Sequence, residues 1–138
     1  MTRGDFTFQP AEPPASRGDK WPTLAGEVAF SETRRQLEHD IKWWHTQGNG
    51  QVNVVLSITV YPRGKITIEK WDPPAPGANP LPTQKMEIVR HPTKISGSLK
   101  IDFEDVYLRP KQRNETDFIL TDAEMERFAY LVWRPQFP

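Results

Sequence analysis

Cysteine is absent from this chain. That excludes a disulfide framework, a thiolate zinc site and a cysteine nucleophile, and it fits a reducing compartment, with the cytosol as the default address. Chemistry must come from oxygen and nitrogen side chains. Long apolar runs are also missing. No stretch approaches the ~18 apolar residues of a membrane span, and Met1 to Asp5 carry no secretory h-region. An excess of either charge is lacking too, since 18 Lys and Arg stand against 18 Asp and Glu. A surface that tracks nucleic-acid phosphates usually shows a basic surplus, so zero net charge argues against such a partner. No Gly-rich phosphate loop, serine elbow or redox motif occurs, which removes kinase, triad-hydrolase and dehydrogenase readings.

What the chain has in quantity is proline, 14 residues, and tryptophan, 5 residues. The first implies extended loops and the second large apolar surfaces in a small body. A length of 138 residues suits one domain with a real core. Asp5 to Phe8 alternates like a short strand, and Thr23 to Phe30 reads as a largely buried one. Ser31 is the expected N-cap of a helix carrying Leu37, Ile41 and Trp44 on one stripe, stopped by Gly48, Asn49 and Gly50.

From Gln51 to Tyr61 the even positions Val52, Val54, Leu56, Ile58 and Val60 are apolar, a period-two signal for a strand with one core face. Pro62-Arg63-Gly64 turns the chain into a return strand, Lys65 to Trp71. Asp72 to Pro82 holds five prolines and is expected as a lid or spacer loop. Gln84 to Arg90 and Ile95 to Phe103 continue the sheet. Thr121 to Glu124 matches a capping box that opens a last helix with Met125, Phe128, Ala129 and Val132 on its inner stripe, ended by Pro135. The expected fold is therefore α+β, a single mixed sheet with two main helices in one domain.

Gly4 to Phe8, Pro22 to Thr33 and the helix from Leu37 to Trp44 resemble, in order and spacing, the Uma-type branch of the PD-(D/E)XK restriction-endonuclease-like superfamily. Trp43-Trp44, the strand Val52 to Val60 and Ile66 to Trp71 resemble a set of small fungal proteins. The likeness covers about residues 4 to 71. In active members two acids on adjacent strands hold a divalent cation that activates water, and a lysine stabilises the charge developing on phosphorus. By position the acids would be Asp5 and Glu27. The motif's lysine position holds Ala29, and the helix position to which this branch often moves its lysine falls near Asp40. Lys42 stands roughly 200° round the helix from Asp40. The resemblance thus implies a truncated, degenerate core without the nuclease's cation.

Glu27 is the leading catalytic candidate, because a carboxylate inside an apolar run costs too much to be incidental. Asp40 and Asp5 accompany it. Against this stands a solvated Asp5, a strand-end Glu27 and a wet helix face at Asp40. Trp43, Tyr61 and Trp71 are candidates to line a cavity, with packing at an exposed edge as the alternative. Ser57, Thr67 and Glu69, with Thr59, form a hairpin face that is either wet or, if a helix covers it, a buried polar constellation that can orient a ligand. His39, His45 and His91 lack metal-ligand spacing.

The expected function is an apolar small-molecule site between sheet and helices, with cyclisation or isomerisation by shape and hydrogen bonding and no cofactor. The alternatives are a magnesium-dependent nuclease using Asp5 and Glu27, and a dimeric interaction module built on an exposed sheet edge.

Overall fold

A computed structural model describes residues 5–18, 20–30, 34–48 and 50–138; the positions expected for Gly4, the Ser31 cap, Glu32 and Asn49 lie outside that set. The chain runs β1 (Phe6–Phe8), β2 (Leu24–Phe30), α1 (Arg34–Gln47), β3 (Val54–Val60), β4 (Ile66–Trp71), β5 (Pro82–Val89), β6 (Lys94–Ile101), α2 (Phe103–Tyr107), β7 (Phe118–Leu120) and α3 (Asp122–Gln136). The seven strands form one curled sheet in sequence order. Neighbours pair antiparallel except β2 and β3, which run parallel because α1 crosses between them. The fold is α+β, a single mixed sheet with two longer helices, as the sequence implies.

The helices cover opposite faces of the sheet. On one face Leu37, Ile41 and Trp44 of α1 pack with Ala25, Ala29, Val55 and Trp71. On the other, Met125, Ala129 and Trp133 of α3 pack with Val54, Ile66, Ile68, Met86 and Ile88. Between these layers β4 is buried at all six positions. This division corrects the expectation of one core face on β3. Val54 is fully buried, but Leu56, Ile58 and Val60 are only half-buried, whereas the odd positions Val55, Ser57 and Thr59 are buried completely. Helix α1 lies on the odd side, so polar residues that alternation assigns to water lie beneath a helix.

The capping box at Thr121 and Glu124 forms as expected. At the other end of α3, Trp133 Nε1 donates to the Gly64 carbonyl at 2.6 Å and Gln136 Nε2 to the Tyr61 carbonyl at 3.0 Å. These bonds tie the helix end to the β3–β4 turn, and Pro135 sits inside its last turn. Gly64 (φ +102) takes a backbone conformation open chiefly to glycine, and an added Cβ would press on Trp133, Phe137 and Arg90. Phe103, expected on the strand, starts α2 instead, where it stacks on Tyr107 at 4.7 Å. Strand β7 escaped the sequence reading because three residues are too few for alternation to register.

In the proline-rich loop, Asn79, Pro80 and Leu81 share a cleft with Glu38, His39 and Lys42 on the flank of α1, so this part of the loop lies along a helix. Among the described residues no helix is long and apolar enough to cross a membrane.

Candidate functional site

The strand registers set two rows of side chains across the face beneath α1. Glu27 of β2 lies beside Ser57 of β3, Ser57 beside Glu69 of β4, and Glu69 beside Lys85 of β5. One step along, Ala29 lies beside Thr59, Thr59 beside Thr67, and Thr67 beside Glu87. Cross-strand neighbours point to the same side of a sheet, so the hairpin's polar residues form one constellation, and α1 buries it. Ser57 is fully buried, Thr59 and Thr67 retain 3% of their exposure, Glu69 4% and Glu27 6%.

Nearly every polar group there has a partner. Trp44 Nε1 donates to Glu27 Oε1 at 2.8 Å, and Trp71 Nε1 to Ser57 Oγ at 2.9 Å. Arg34, in the first described turn of α1, donates from both terminal nitrogens to Glu69 at 2.6 and 3.4 Å, with its guanidinium 5.1 Å from the Trp71 ring centre. The hydrogen bond to Glu69 raises the Arg34 pKa. Thr67 Oγ1 donates to Glu87 at 3.2 Å. Thr59 Oγ1 is the exception, enclosed with no partner among the described residues.

Of the three expected acids, Asp40 and Asp5 both act on Glu27. Burial pushes the Glu27 carboxyl up to about 7, opposed by the Trp44 hydrogen bond, with Asp40 and then Asp5 adding like charge. Among the described residues no cation is a cause of its shift. Asp40 accepts from Gln36 at 2.8 Å, and His39 stands 3.7 Å from it. Asp5 is exposed, and its Oδ2 accepts from the Val28 amide at 2.6 Å. Among the described residues no group of three acid or imidazole side chains is arranged to hold a metal ion.

A cavity of about 340 Å³ opens over the second row, lined by Ala29, Phe30, Arg34, Leu37, Thr59, Tyr61, Thr67, Glu69 and Lys85. Its origin is local. Ala29 offers only a methyl group, and α1 presents Leu37 and Arg34 rather than an aromatic above it. Of the residues expected to bind a ligand, Tyr61, Thr67 and Glu69 are in this lining. Trp43, Trp71 and Ser57 do not line this cavity. Trp71 is fully buried by its place on the central strand and turned onto Ser57, while half-buried Trp43 packs edge-on against Trp21 at 5.7 Å and Trp44 at 5.0 Å.

Glu27, Asp40 and Asp5 are also outside the lining, because Trp44 covers Glu27 from the helix. Ala29, Phe30, Arg34, Leu37 and Lys85 are the lining residues that sequence reasoning missed. Arg34 carries no local signal, since its partner lies 35 positions away.

No protein-family model matches the chain, and no curated protein or solved structure is significantly similar to it.

Proposed function

We propose that this chain is a small-molecule-binding domain on a degenerate PD-(D/E)XK-like plan, its site being the cavity between α1 and the β3–β4 hairpin. The observation that carries this reading is a cavity opening at Ala29, where the nuclease motif would set its lysine. Among the described residues nothing positive compensates Glu27, so the charge stabilisation that phosphodiester cleavage needs has no source in them. The cavity falls within the size range of small-ligand sites, and it mixes apolar walls with a few fixed polar groups. A cyclisation or isomerisation at this site would use Glu69, the carboxylate in the lining, with Arg34 holding it in place. Glu27 would act only on a ligand long enough to reach the neighbouring row.

Filling the cavity tests the reading. Ala29→Met places a flexible side chain in the void. Small molecules that raise the melting temperature of the parent protein should lose that effect on the variant, while its own melting temperature stays within a few degrees. A library whose hits act equally on both proteins would refute the site.

The like charge that Asp40 and Asp5 bring to Glu27 motivates a second reading, a magnesium- or manganese-dependent nuclease. Calorimetry with each ion and digestion of plasmid and single-stranded DNA decide it. Our reading expects no heat of binding and intact DNA; cleavage that is lost in Glu27→Gln would establish the nuclease.

A further inference from the structure

We infer that the cavity over Ala29 takes an uncharged ligand that presents a hydroxyl, carbonyl or amide group to Thr59 Oγ1. This rests on the binding reading above and narrows it. Thr59 is 3% exposed, lines the cavity, and its hydroxyl alone among the hydroxyls of the two rows meets no partner. An enclosed hydroxyl without a hydrogen bond carries a desolvation cost, and buried polar groups in folded proteins are almost always satisfied. Ser57 and Thr67 on the same face are satisfied by Trp71 and Glu87. Thr59 therefore has an unpartnered donor and acceptor just beneath the wall of a space large enough for a small molecule.

The charges around it narrow the class. Arg34 is held by Glu69 at 2.6 Å, and Lys85 stands 3.6 Å from Glu87. Each cation beside the cavity is already matched with an acid. A carboxylate or phosphate entering here would have to displace Glu69 from Arg34 and leave that buried acid unpaired, and an ammonium would have to draw Glu69 away in the same manner. A neutral hydrogen-bonding group leaves both pairs intact and satisfies the one vacant partner. Ala29, Leu37 and the Phe30 ring supply the apolar walls for the rest of the molecule. The ligand is thus a neutral body with one oxygen- or nitrogen-bearing head.

The test uses four probes of matched size: benzamide and cyclohexanol, which are neutral, and benzoate and benzylammonium, which are not. Each is titrated into isotope-labelled full-length protein and followed through the amide and methyl resonances of Ala29, Leu37, Thr59 and Thr67. Benzamide or cyclohexanol should move these resonances in a saturable manner, and the charged pair should bind at least tenfold more weakly. Thr59→Val keeps the shape and removes the hydroxyl. It should weaken the neutral probe about tenfold, the loss of one hydrogen bond, without lowering the melting temperature, because it deletes an unsatisfied group. Thr59→Ser should restore binding.

Equal or tighter binding of benzoate or benzylammonium at these residues would overturn the ligand class while leaving a small-molecule site. A neutral probe that binds Thr59→Val as well as the parent would overturn the role of Thr59. If no probe moves these resonances, the inference and the binding reading fall together, whereas shifts confined to other residues sink the site itself.

Discussion

Glu27 shows how one residue can be legible by type yet obscure in purpose. Its place in the apolar run from Leu24 to Phe30 marked a carboxylate under constraint, and the structure explains the constraint by burial, Trp44 and two neighbouring acids. A carboxyl raised to about 7 in the folded state binds its proton more readily than in the unfolded chain. Its contribution to stability is therefore present below pH about 4.5 and lost as pH rises toward 7. The loss has an upper bound of about 3 kcal/mol. Glu27→Gln keeps an acceptor for Trp44 and cannot ionise. Its urea-unfolding stability should match the parent near pH 4.5, exceed it at pH 8, and show a flatter slope between. A parallel pH profile for the two proteins would mean that Glu27 ionises freely in the native state.

Among the elements, α3 was read most completely from sequence and β3 least. The capping box is a local pattern whose two hydrogen bonds join residues three apart, so neighbours in sequence decide it. Thr121→Ala removes the side-chain acceptor of the Glu124 amide and should lower stability by about 1 kcal/mol, measured by chemical denaturation, with no change in ligand response.

Strand β3 is the opposite case. Its alternation was visible, but which side mattered was not, because both faces of that strand are covered, one by α1 just before it and the other by α3 far along the chain. A period of two reports two faces and leaves open what covers each. The buried hydroxyls at Ser57 and Thr59, which looked like the wet side, were consequently read as a conditional possibility.

At the scale of the whole molecule, Asp5 acquires a structural role beside the catalytic one suggested for it. Strand β1 pairs only with Leu24, Ala25 and Gly26, and the next outward amide, Val28, is taken by the Asp5 carboxylate. Val28 and Phe30 are 45% and 60% exposed. A charged side chain at a sheet edge blocks pairing with another chain. Asp5→Ala should uncover the Val28 amide beside an apolar surface and raise self-association, seen as a concentration-dependent increase in sedimentation coefficient. A parent protein that is already dimeric, and a variant of the same mass, would instead support the interaction-module reading.

The sequence by itself determined the class of fold, the positions of both long helices, the β3–β4 hairpin and the presence of a constrained acid. Each depends on residues a few positions apart, through periodicity, caps and turn chemistry. Only the tertiary structure decided that Arg34 closes on Glu69, that Trp71 and Trp43 turn away from the cavity, that the proline-rich loop lies along α1, and that Thr59 is enclosed without a partner. Those facts depend on which strand lies beside which and on where a crossing helix comes down, and local pattern carries no record of either.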